Sequence, residues 1–419
     1  MAPESIVKKT RLDNGLRVVS ESVPYVDSVS VGVWIGAGSR DEDSSHRGVS
    51  HFLEHMLFKG TERRSARQIA DEMDMIGGHL NAFTDKEYTC YYAKVLSEHL
   101  DLGLDLLSDM ILHSAFENEE LELEKNVVLE EIKRHEDTPD DIVHDLFAET
   151  LWQKASLGKP VVGNRLTVSS FTQETLRKHL RSSYTPDRVV IAAAGNLDHS
   201  EFVDRVASYF GDLNGNSQKN SDGAILSVRK TKLKTKSIEQ VHFCIGTPGY
   251  SQHDDRKYAM AIVDSILGGG MSSRLFQEIR ENRGLVYAIG SYSASYRDTG
   301  LFVIYGGTSP KYLDEVLRLI NRECADVRDN NATDIEIERG KNQIRGALVL
   351  GQESMSNRMS RLAKSELYFG RIIPLEEIID SIMKVSREDV DQLAWEMFED
   401  PKLALAAVGP FDKNGGIKV

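Results

Sequence analysis

The chain has 419 residues, of which 40% are hydrophobic and 28% are charged. This length exceeds what one ordinary hydrophobic core needs and predicts two domains or more. The 51 basic and 65 acidic side chains give a formal net charge of −14, which argues against nucleic acid or an anionic membrane as a partner because both require a cationic surface.

The sequence contains no signal for export or membrane insertion. No segment approaches the roughly eighteen apolar residues that span a bilayer. The opening residues, MAPESIVKKTRLDNGLRVV, lack both the apolar core of a secretory signal and the features of a transit peptide. Three scattered cysteines, Cys90, Cys244 and Cys324, predict neither a disulfide framework nor a cysteine-based zinc site. We therefore expect a cytoplasmic protein.

The first half of the chain alternates between strand and helix signals. A β-branched, aromatic segment, SVSVGVWIGAG (28–38), predicts a strand that enters a turn. Residues 46–59 predict a helix, and SARQIADEMDMIGG predicts another. The segment HLNAFTDKEYTCYYAKV then has the pattern of strands, and SEHLDLGLDLLSDMIL that of a long amphipathic helix.

The same order of signals recurs in the second half. VHFCIGTPG (241–249) predicts a strand, AMAIVDSILGG a helix, SYSASYRDTGLFVIYGGT further strands, and SPKYLDEVLRLI a closing helix. GVWIG, which starts at residue 32, aligns with HFCIG, which starts at residue 242. The two copies are therefore about half a chain apart, which indicates an internal repeat.

We predict two copies of one α+β unit, in residues 1–212 and 238–419. The intervening residues 213–237 are rich in Asn, Gly, Ser and Lys, which is typical of an exposed linker or of the first strand of the second copy. Many predicted strands are amphipathic and adjacent in the chain. Each domain is therefore expected to be a mostly antiparallel β-sheet with helices packed on one face.

The five residues HFLEH (51–55) raise the question of a metal site. On a helix, His51, Glu54 and His55 share one face. Two imidazoles one turn apart can bind a zinc ion, and a glutamate beside them can accept a proton from a water molecule that the zinc activates. A pattern this short also occurs by chance on ordinary helices, so a third ligand is needed to decide.

The segment LELEKNVVLEEIKRHED (121–137) contains the strongest third ligand. If it is a helix with Val128 at the centre of its apolar face, Glu124, Glu131 and His135 lie on that face, whereas Glu130 points nearly the opposite way. A buried acidic side chain is costly unless it is paired or binds a metal. A structural salt bridge to an arginine is the alternative explanation.

HFLEH has the form HxxEH, the reverse of the thermolysin-type HExxH. HxxEH is the motif of the enzymes called inverzincins. Nearly the whole chain resembles the pitrilysin family, and within it the mitochondrial processing peptidase and its bacterial homologues. The resemblance implies that His51, His55 and Glu131 bind one zinc ion and that Glu54 is the general base. It also implies that Glu124, seven residues before Glu131, orients a ligand.

Two further segments resemble functional parts of that family. GGHLNAFTDKEYTCYY resembles its substrate-binding edge strand, with Asn81, Ala82, Phe83 and Thr84 at the matching positions, although an ordinary half-buried strand has the same pattern. RLFQEIRENRGLVYAIGS contains Arg280 and Tyr287, which match an Arg/Tyr pair that binds the substrate and the oxyanion. Judged by pattern alone, Arg280 is a solvated helix residue and Tyr287 a strand core residue.

The resemblance also implies a quaternary arrangement. A chain of this length holds half of a pitrilysin-type chamber, so we expect a homodimer in which each chain offers Arg280 and Tyr287 to its partner's zinc. The second half has no HxxEH of its own, so one zinc ion per chain is expected. The implied function is a zinc endopeptidase acting on peptides or extended unfolded segments. The alternatives are the catalytic subunit of a heterodimer and a non-catalytic subunit of the same fold.

Overall fold

The computed structural model describes residues 5–217, 225, 227–228, 230–399 and 403–412. The elements of the first half, in chain order, are β1 (Ile6–Arg11), β2 (Arg17–Ser22), β3 (Ser28–Ile35), α1 (Val49–Leu57), α2 (Ala66–Met75), β4 (His79–Thr84), β5 (Thr89–Leu96), α3 (Leu100–Leu112), α4 (Asn118–Asp137), α5 (Pro139–Trp152), α6 (Arg165–Ser170), α7 (Gln173–Ser183), β6 (Val189–Gly195) and α8 (His199–Phe210). The elements of the second half are β7 (Thr231–Thr235), β8 (Val241–Gly249), α9 (Arg256–Leu267), β9 (Val286–Ser295), β10 (Gly300–Thr308), α10 (Leu313–Asn330), α11 (Asp334–Gly351), α12 (Met355–Phe369), α13 (Leu375–Lys384), α14 (Arg387–Phe398) and β11 (Ala404–Gly409).

The chain forms two compact units, each built on one sheet. The first sheet has the strand order β1-β2-β6-β3-β5-β4, and the second has the order β7-β11-β8-β10-β9. In both sheets one neighbouring pair is parallel, β2 with β6 and β11 with β7, and the other pairs are antiparallel. Five strands therefore follow the same path in each sheet, which confirms the predicted repeat and the mostly antiparallel sheets.

The two units differ from the contiguous halves that the sequence predicted. The first comprises Met1–Lys133, Lys159–Ser221 and Gly351–Ile373, and the second comprises Arg134–Gly158, Asp222–Leu350 and Pro374–Val419. Each half of the chain thus gives one helical segment to the unit built mainly from the other half. Of the predicted linker, 218–224, 226 and 229 lie outside the described residues, whereas β7 is a strand of the second sheet.

The exchanged segments explain why the prediction of helices on one face was incomplete. In the first unit α1, α3 and α8 contribute to the main core, and Met359, Leu362 and Ala363 of α12 cover the opposite sheet face around Trp34. In the second unit α9, α10 and α14 contribute to one core, while α5 covers the opposite face. Both faces of each sheet therefore carry helices. Within the described residues, no helix combines the length and apolar character needed to cross a membrane.

Candidate metal centre

The structure confirms a helix at HFLEH and fixes where it begins. Helix α1 starts after Gly48, whose φ of 88° lies in the left-handed region. A Cβ atom there would lie 2.8 Å from Cα of Gly163 and from the carbonyl oxygen of Val162. Glycine is therefore the residue that suits this position both in backbone conformation and in space. The helix that follows buries His51 together with its apolar face.

The first turn of α1 is capped by Glu42, a residue that the sequence analysis did not select. Its carboxylate accepts hydrogen bonds from the backbone N–H groups of Gly48, at 2.7 Å, and Ser50, at 2.8 Å. These are N–H groups that a helix leaves without an internal partner. Burial raises the pKa of Glu42 to about 7, although both hydrogen bonds favour the ionised form. Glu42 thus holds the beginning of the helix that carries HFLEH.

In helix α4, Glu124 and Glu131 lie on the side that the helical pattern predicted. Glu124 is buried in line with Leu121, Val128 and Ile132. Glu130 is exposed and pairs with Lys133, which lies three residues further along the same helix. Of the polar groups predicted to share the apolar face, Glu131 faces α1, whereas His135 instead makes a 2.8 Å contact to Asp145.

His51, His55 and Glu131 form the one group of potential metal ligands found among the described residues, with ligand atoms within 4.8 Å of one another. Oε2 of Glu131 lies 3.7 Å from Nε2 of His51 and 3.6 Å from Nε2 of His55. These distances are too long for hydrogen bonds. Ligands about 2.1 Å from a tetrahedral zinc ion would be roughly 3.4 Å apart. The donor set and its spacing therefore fit zinc.

The two histidines differ in electrostatic environment. Burial, together with the neighbouring charge of His55, lowers the pKa of His51 to about 3, so its imidazole is neutral and a lone pair is available to a metal. Burial also opposes protonation of His55, but the hydrogen bond and charge of Glu124 outweigh it and raise that pKa. The contact between Nδ1 of His55 and Oε1 of Glu124 is 2.8 Å. With the proton on Nδ1, Nε2 is free to face Glu131.

Glu124 has a second cationic neighbour that the sequence analysis missed. Nζ of Lys59 lies 2.6 Å from Oε2 of Glu124. Burial raises the pKa of Glu124, but the hydrogen bonds from His55 and Lys59 reverse the effect and lower it. The salt-bridge alternative for Glu124 is thus partly right, with a lysine and a histidine in place of an arginine. Its bond to His55 also fits the orienting role that the family resemblance implied.

Glu54 lies between the two histidines and contacts strand β4. The hydroxyl of Thr84 donates a 2.6 Å hydrogen bond to Oε2 of Glu54. Burial raises the pKa of this carboxyl, and the Thr84 hydrogen bond partly opposes the increase. A half-buried carboxylate beside potential metal ligands has the position and the basicity that a general base requires.

The segment that resembled an edge strand is an edge strand. Strand β4 pairs with β5 on one side and is the last strand of its sheet. Its side chains alternate between exposed and half-buried, and Phe83 remains 37% exposed beside Trp34. The N–H of Ala82 donates to Oδ1 of Asn81 at 2.8 Å. The free side of β4 is thus available for another strand, while the role of these residues in substrate binding stays a prediction.

Arg280 and Tyr287 belong to the second unit. Arg280 lies in a π-helical turn, Phe276–Glu281, and Tyr287 lies on β9, the edge strand of the second sheet. The guanidinium carbon of Arg280 is 4.6 Å from the ring centroid of Phe276 and 5.9 Å from that of Tyr287. Tyr287 is 83% exposed. The interpretation of Tyr287 as a strand core residue is therefore wrong, and the functional interpretation of the pair stays a prediction.

Comparison with family models decides the family. Residues 17–165, which include HxxEH and Glu131, match the model described as insulinase (peptidase family M16). Residues 170–344 match the model described as the peptidase M16 inactive domain. The chain belongs to peptidase family M16. This result confirms the predicted resemblance, and the name of the second model agrees with a second half that has no HxxEH.

Relatives of known name are similar over almost their whole length. "Uncharacterized zinc protease YmxG" of Bacillus subtilis is 45% identical over 411 residues, covering 97% of this chain and 98% of that protein. A relative named as a zinc protease in Rickettsia felis is 38% identical over 407 residues, covering 97% and 98%. Both names agree with a group of side chains, His51, His55 and Glu131, that fits zinc.

Two solved structures share the fold. A protease from Helicobacter pylori superposes with a TM-score of 0.90 at 21% identity, covering 97% of this chain and 100% of the other. A structure from Pseudomonas fluorescens described as a peptidase M16 inactive domain gives a TM-score of 0.91 at 19% identity, covering 99% of each. At 21% and 19% identity, the similarity to these two structures shows the fold alone.

Proposed function

We propose that this M16 chain is a zinc-dependent endopeptidase that hydrolyses peptides or extended unfolded segments within a closed dimeric chamber. The observation that carries the proposal is the cluster of His51, His55 and Glu131, with Glu54 beside it. Two imidazoles and one carboxylate leave one position open on a four-coordinate zinc ion, as catalytic sites require. The names of the relatives as zinc proteases support the choice of metal.

The reaction assigns separate tasks to the residues around this cluster. His51, His55 and Glu131 would hold the zinc ion, which would serve as a Lewis acid toward the peptide carbonyl and the attacking water. Glu54 accepts the proton of the attacking water and passes it to the leaving amine. Glu124 keeps the His55 ring in place through Nδ1. One zinc ion per chain follows from the single HxxEH.

Strand β4 is the proposed docking edge for the substrate. A peptide that adds to an open edge gains main-chain hydrogen bonds and needs little side-chain specificity. Asn81, Ala82, Phe83 and Thr84 lie on this strand, and Thr84 contacts Glu54. A peptide docked along β4 therefore lies close to the base. An extended segment fits this edge better than a folded protein does.

The second unit supplies Arg280 and Tyr287 to the proposed mechanism. Arg280, in the π-helical turn, and the exposed Tyr287, on the edge strand β9, have groups that bind a carbonyl oxygen or a developing oxyanion. We assign this pair to the zinc site of the partner chain in a homodimer. The presence of both sets of residues in one chain favours a homodimer over a heterodimer that needs a sister chain.

The test is an assay of the purified protein alone. Zinc content is measured directly, and cleavage of a quenched fluorescent peptide library is followed with and without a chelator. Bound zinc and chelator-sensitive cleavage, restored by added zinc, support the proposal. Zinc without cleavage would indicate the catalytic subunit of a heterodimer. Neither zinc nor cleavage would indicate a non-catalytic subunit and refute the proposal.

A further inference from the structure

The hydroxyl of Thr84 connects the edge strand β4 to the metal-binding helix α1. Thr84 is the last residue of β4 and pairs with Thr89 of β5. Its Oγ1 donates a 2.6 Å hydrogen bond to Oε2 of Glu54, and both side chains are half-buried. The proposed base and the end of the proposed docking strand are thus in direct contact.

A general base has to be held within hydrogen-bond reach of the proton that it accepts. A glutamate side chain has several rotatable bonds, so its carboxylate needs neighbours that restrict it. Among the described residues, Thr84 is the one that donates a hydrogen bond to Glu54. A donor on Oε2 fixes the carboxylate and leaves Oε1 as the acceptor.

We propose that Thr84 is a positioning residue for Glu54, acting through its hydroxyl. This role differs from the substrate contact that the family resemblance implied for Thr84, since it needs no side-chain contact with the peptide. The inference rests on the proposed function, because it assumes that Glu54 is the base.

Two substitutions at Thr84 separate the hydroxyl from the shape of the side chain. Thr84→Val removes the donor and keeps a β-branched side chain suited to a strand, whereas Thr84→Ser keeps the donor. We expect Thr84→Val to lower kcat roughly tenfold to a hundredfold, as misplaced catalytic groups do. KM should stay within about twofold and zinc content unchanged, and Thr84→Ser should recover most of the kcat.

The matched control is Thr231→Val. Thr231 is likewise a threonine on an edge strand, β7 of the second unit, and its side chain is exposed. Its substitution should leave kcat, KM and zinc content at wild-type values. Thermal unfolding of all variants shows whether a loss of kcat reflects a loss of fold.

A binding experiment distinguishes positioning from substrate contact. In a Glu54→Gln background, a fluorescent peptide should bind with the same Kd whether residue 84 is Thr or Val, and the second change should not lower residual turnover further. Weaker peptide binding in the double variant would overturn the inference in favour of direct contact.

The outcomes also separate this inference from the proposed function. If the wild-type protein neither binds zinc nor cleaves peptide, the proposed function fails and the role of Thr84 fails with it. If the wild-type protein cleaves peptides and Thr84→Val does so at the same kcat, or Thr84→Ser fails to recover activity, only the positioning role is refuted.

Discussion

The ammonium group of Lys59 lies 2.6 Å from Oε2 of Glu124, whose other oxygen contacts Nδ1 of His55 at 2.8 Å. One buried carboxylate therefore serves both a lysine and a proposed metal ligand. A buried charge that loses its partner is strongly destabilised. We therefore expect the orientation of the His55 ring to depend on Lys59, although the two side chains meet only through Glu124.

Replacing Lys59 should weaken zinc binding without removing a ligand. We expect Lys59→Met to lower zinc affinity about tenfold to a hundredfold, the usual cost of losing a partner that supports a metal ligand, and Lys59→Arg to lose less. Competition with a chromophoric chelator measures both. The control is Lys133→Met, because Lys133 pairs with the exposed Glu130. Equal zinc affinities for Lys59→Met and Lys133→Met would contradict the prediction.

Glu54→Gln should separate metal binding from chemistry. The amide keeps the shape of the side chain but cannot accept the proton of water, so turnover should fall by several orders of magnitude while zinc remains bound. Peptide cleavage and zinc content are measured on the same preparation. Near-normal cleavage by this variant would show that Glu54 is not the base.

The neighbouring acids Glu130 and Glu131 offer a matched pair of substitutions. Glu131→Gln removes a charged ligand from the cluster and should reduce zinc affinity strongly, since carboxylate ligands bind in the ionised form. Glu130→Gln changes an exposed side chain on the other side of α4 and should leave zinc affinity and stability nearly unchanged. If both substitutions had the same effect on zinc affinity, the direction in which Glu131 and Glu130 point from α4 would not decide which of them binds zinc.

Candidate metal ligands could be selected from the sequence because helical periodicity fixes which side chains share a face. Periodicity also selected His135, which contacts Asp145 instead, and it was the family resemblance that implied the set of His51, His55 and Glu131. His51, Glu54 and His55 lie within one helix, and Glu124 and Glu131 are selected by the apolar stripe of another. The repeat could be predicted for a similar reason, since strand and helix patterns recur in the same order.

Lys59, Glu42 and the Thr84 hydrogen bond could not be predicted, because each acts across a tertiary contact that no local pattern specifies. The exchange of α5 and α12 between the two units has the same cause. An apolar helix face carries no information about which apolar sheet face it will cover, so the contiguous halves were the natural expectation.

The capping carboxylate of Glu42 should make stability depend on pH. Burial raises its folded-state pKa to about 7 from an ordinary 4.5, although the Lys86 charge opposes the increase. The folded state then binds more protons between these values, so this contribution to stability is full below about pH 4.5 and is lost as pH rises through 7.

Glu42→Gln removes this titration. As the pH rises from 5 to 8, the free energy of unfolding of the variant should increase by about 1 to 3 kcal/mol relative to that of the wild type. Urea unfolding of both proteins across that range measures the difference. Parallel pH curves for the two proteins would show that Glu42 titrates as it does in the unfolded chain.

Mixing two inactive variants tests whether the partner chain completes the active site. Glu54→Gln lacks the base but keeps Arg280, whereas Arg280→Ala keeps the base and lacks the arginine. If Arg280 acts on the partner's site, a mixed dimer contains one site with Glu54 from one chain and Arg280 from the other. Such a site should recover peptidase activity.

The size of the recovery follows from random mixing. Equal amounts of the two variants give half mixed dimers, each with one complete site, so activity should approach about a quarter of that of the wild type once subunits have exchanged. Analytical ultracentrifugation of the same samples establishes that dimers are present. If Arg280 instead acts on its own chain, every site in the mixture lacks either the base or the arginine, and activity should stay at the level of the separate variants.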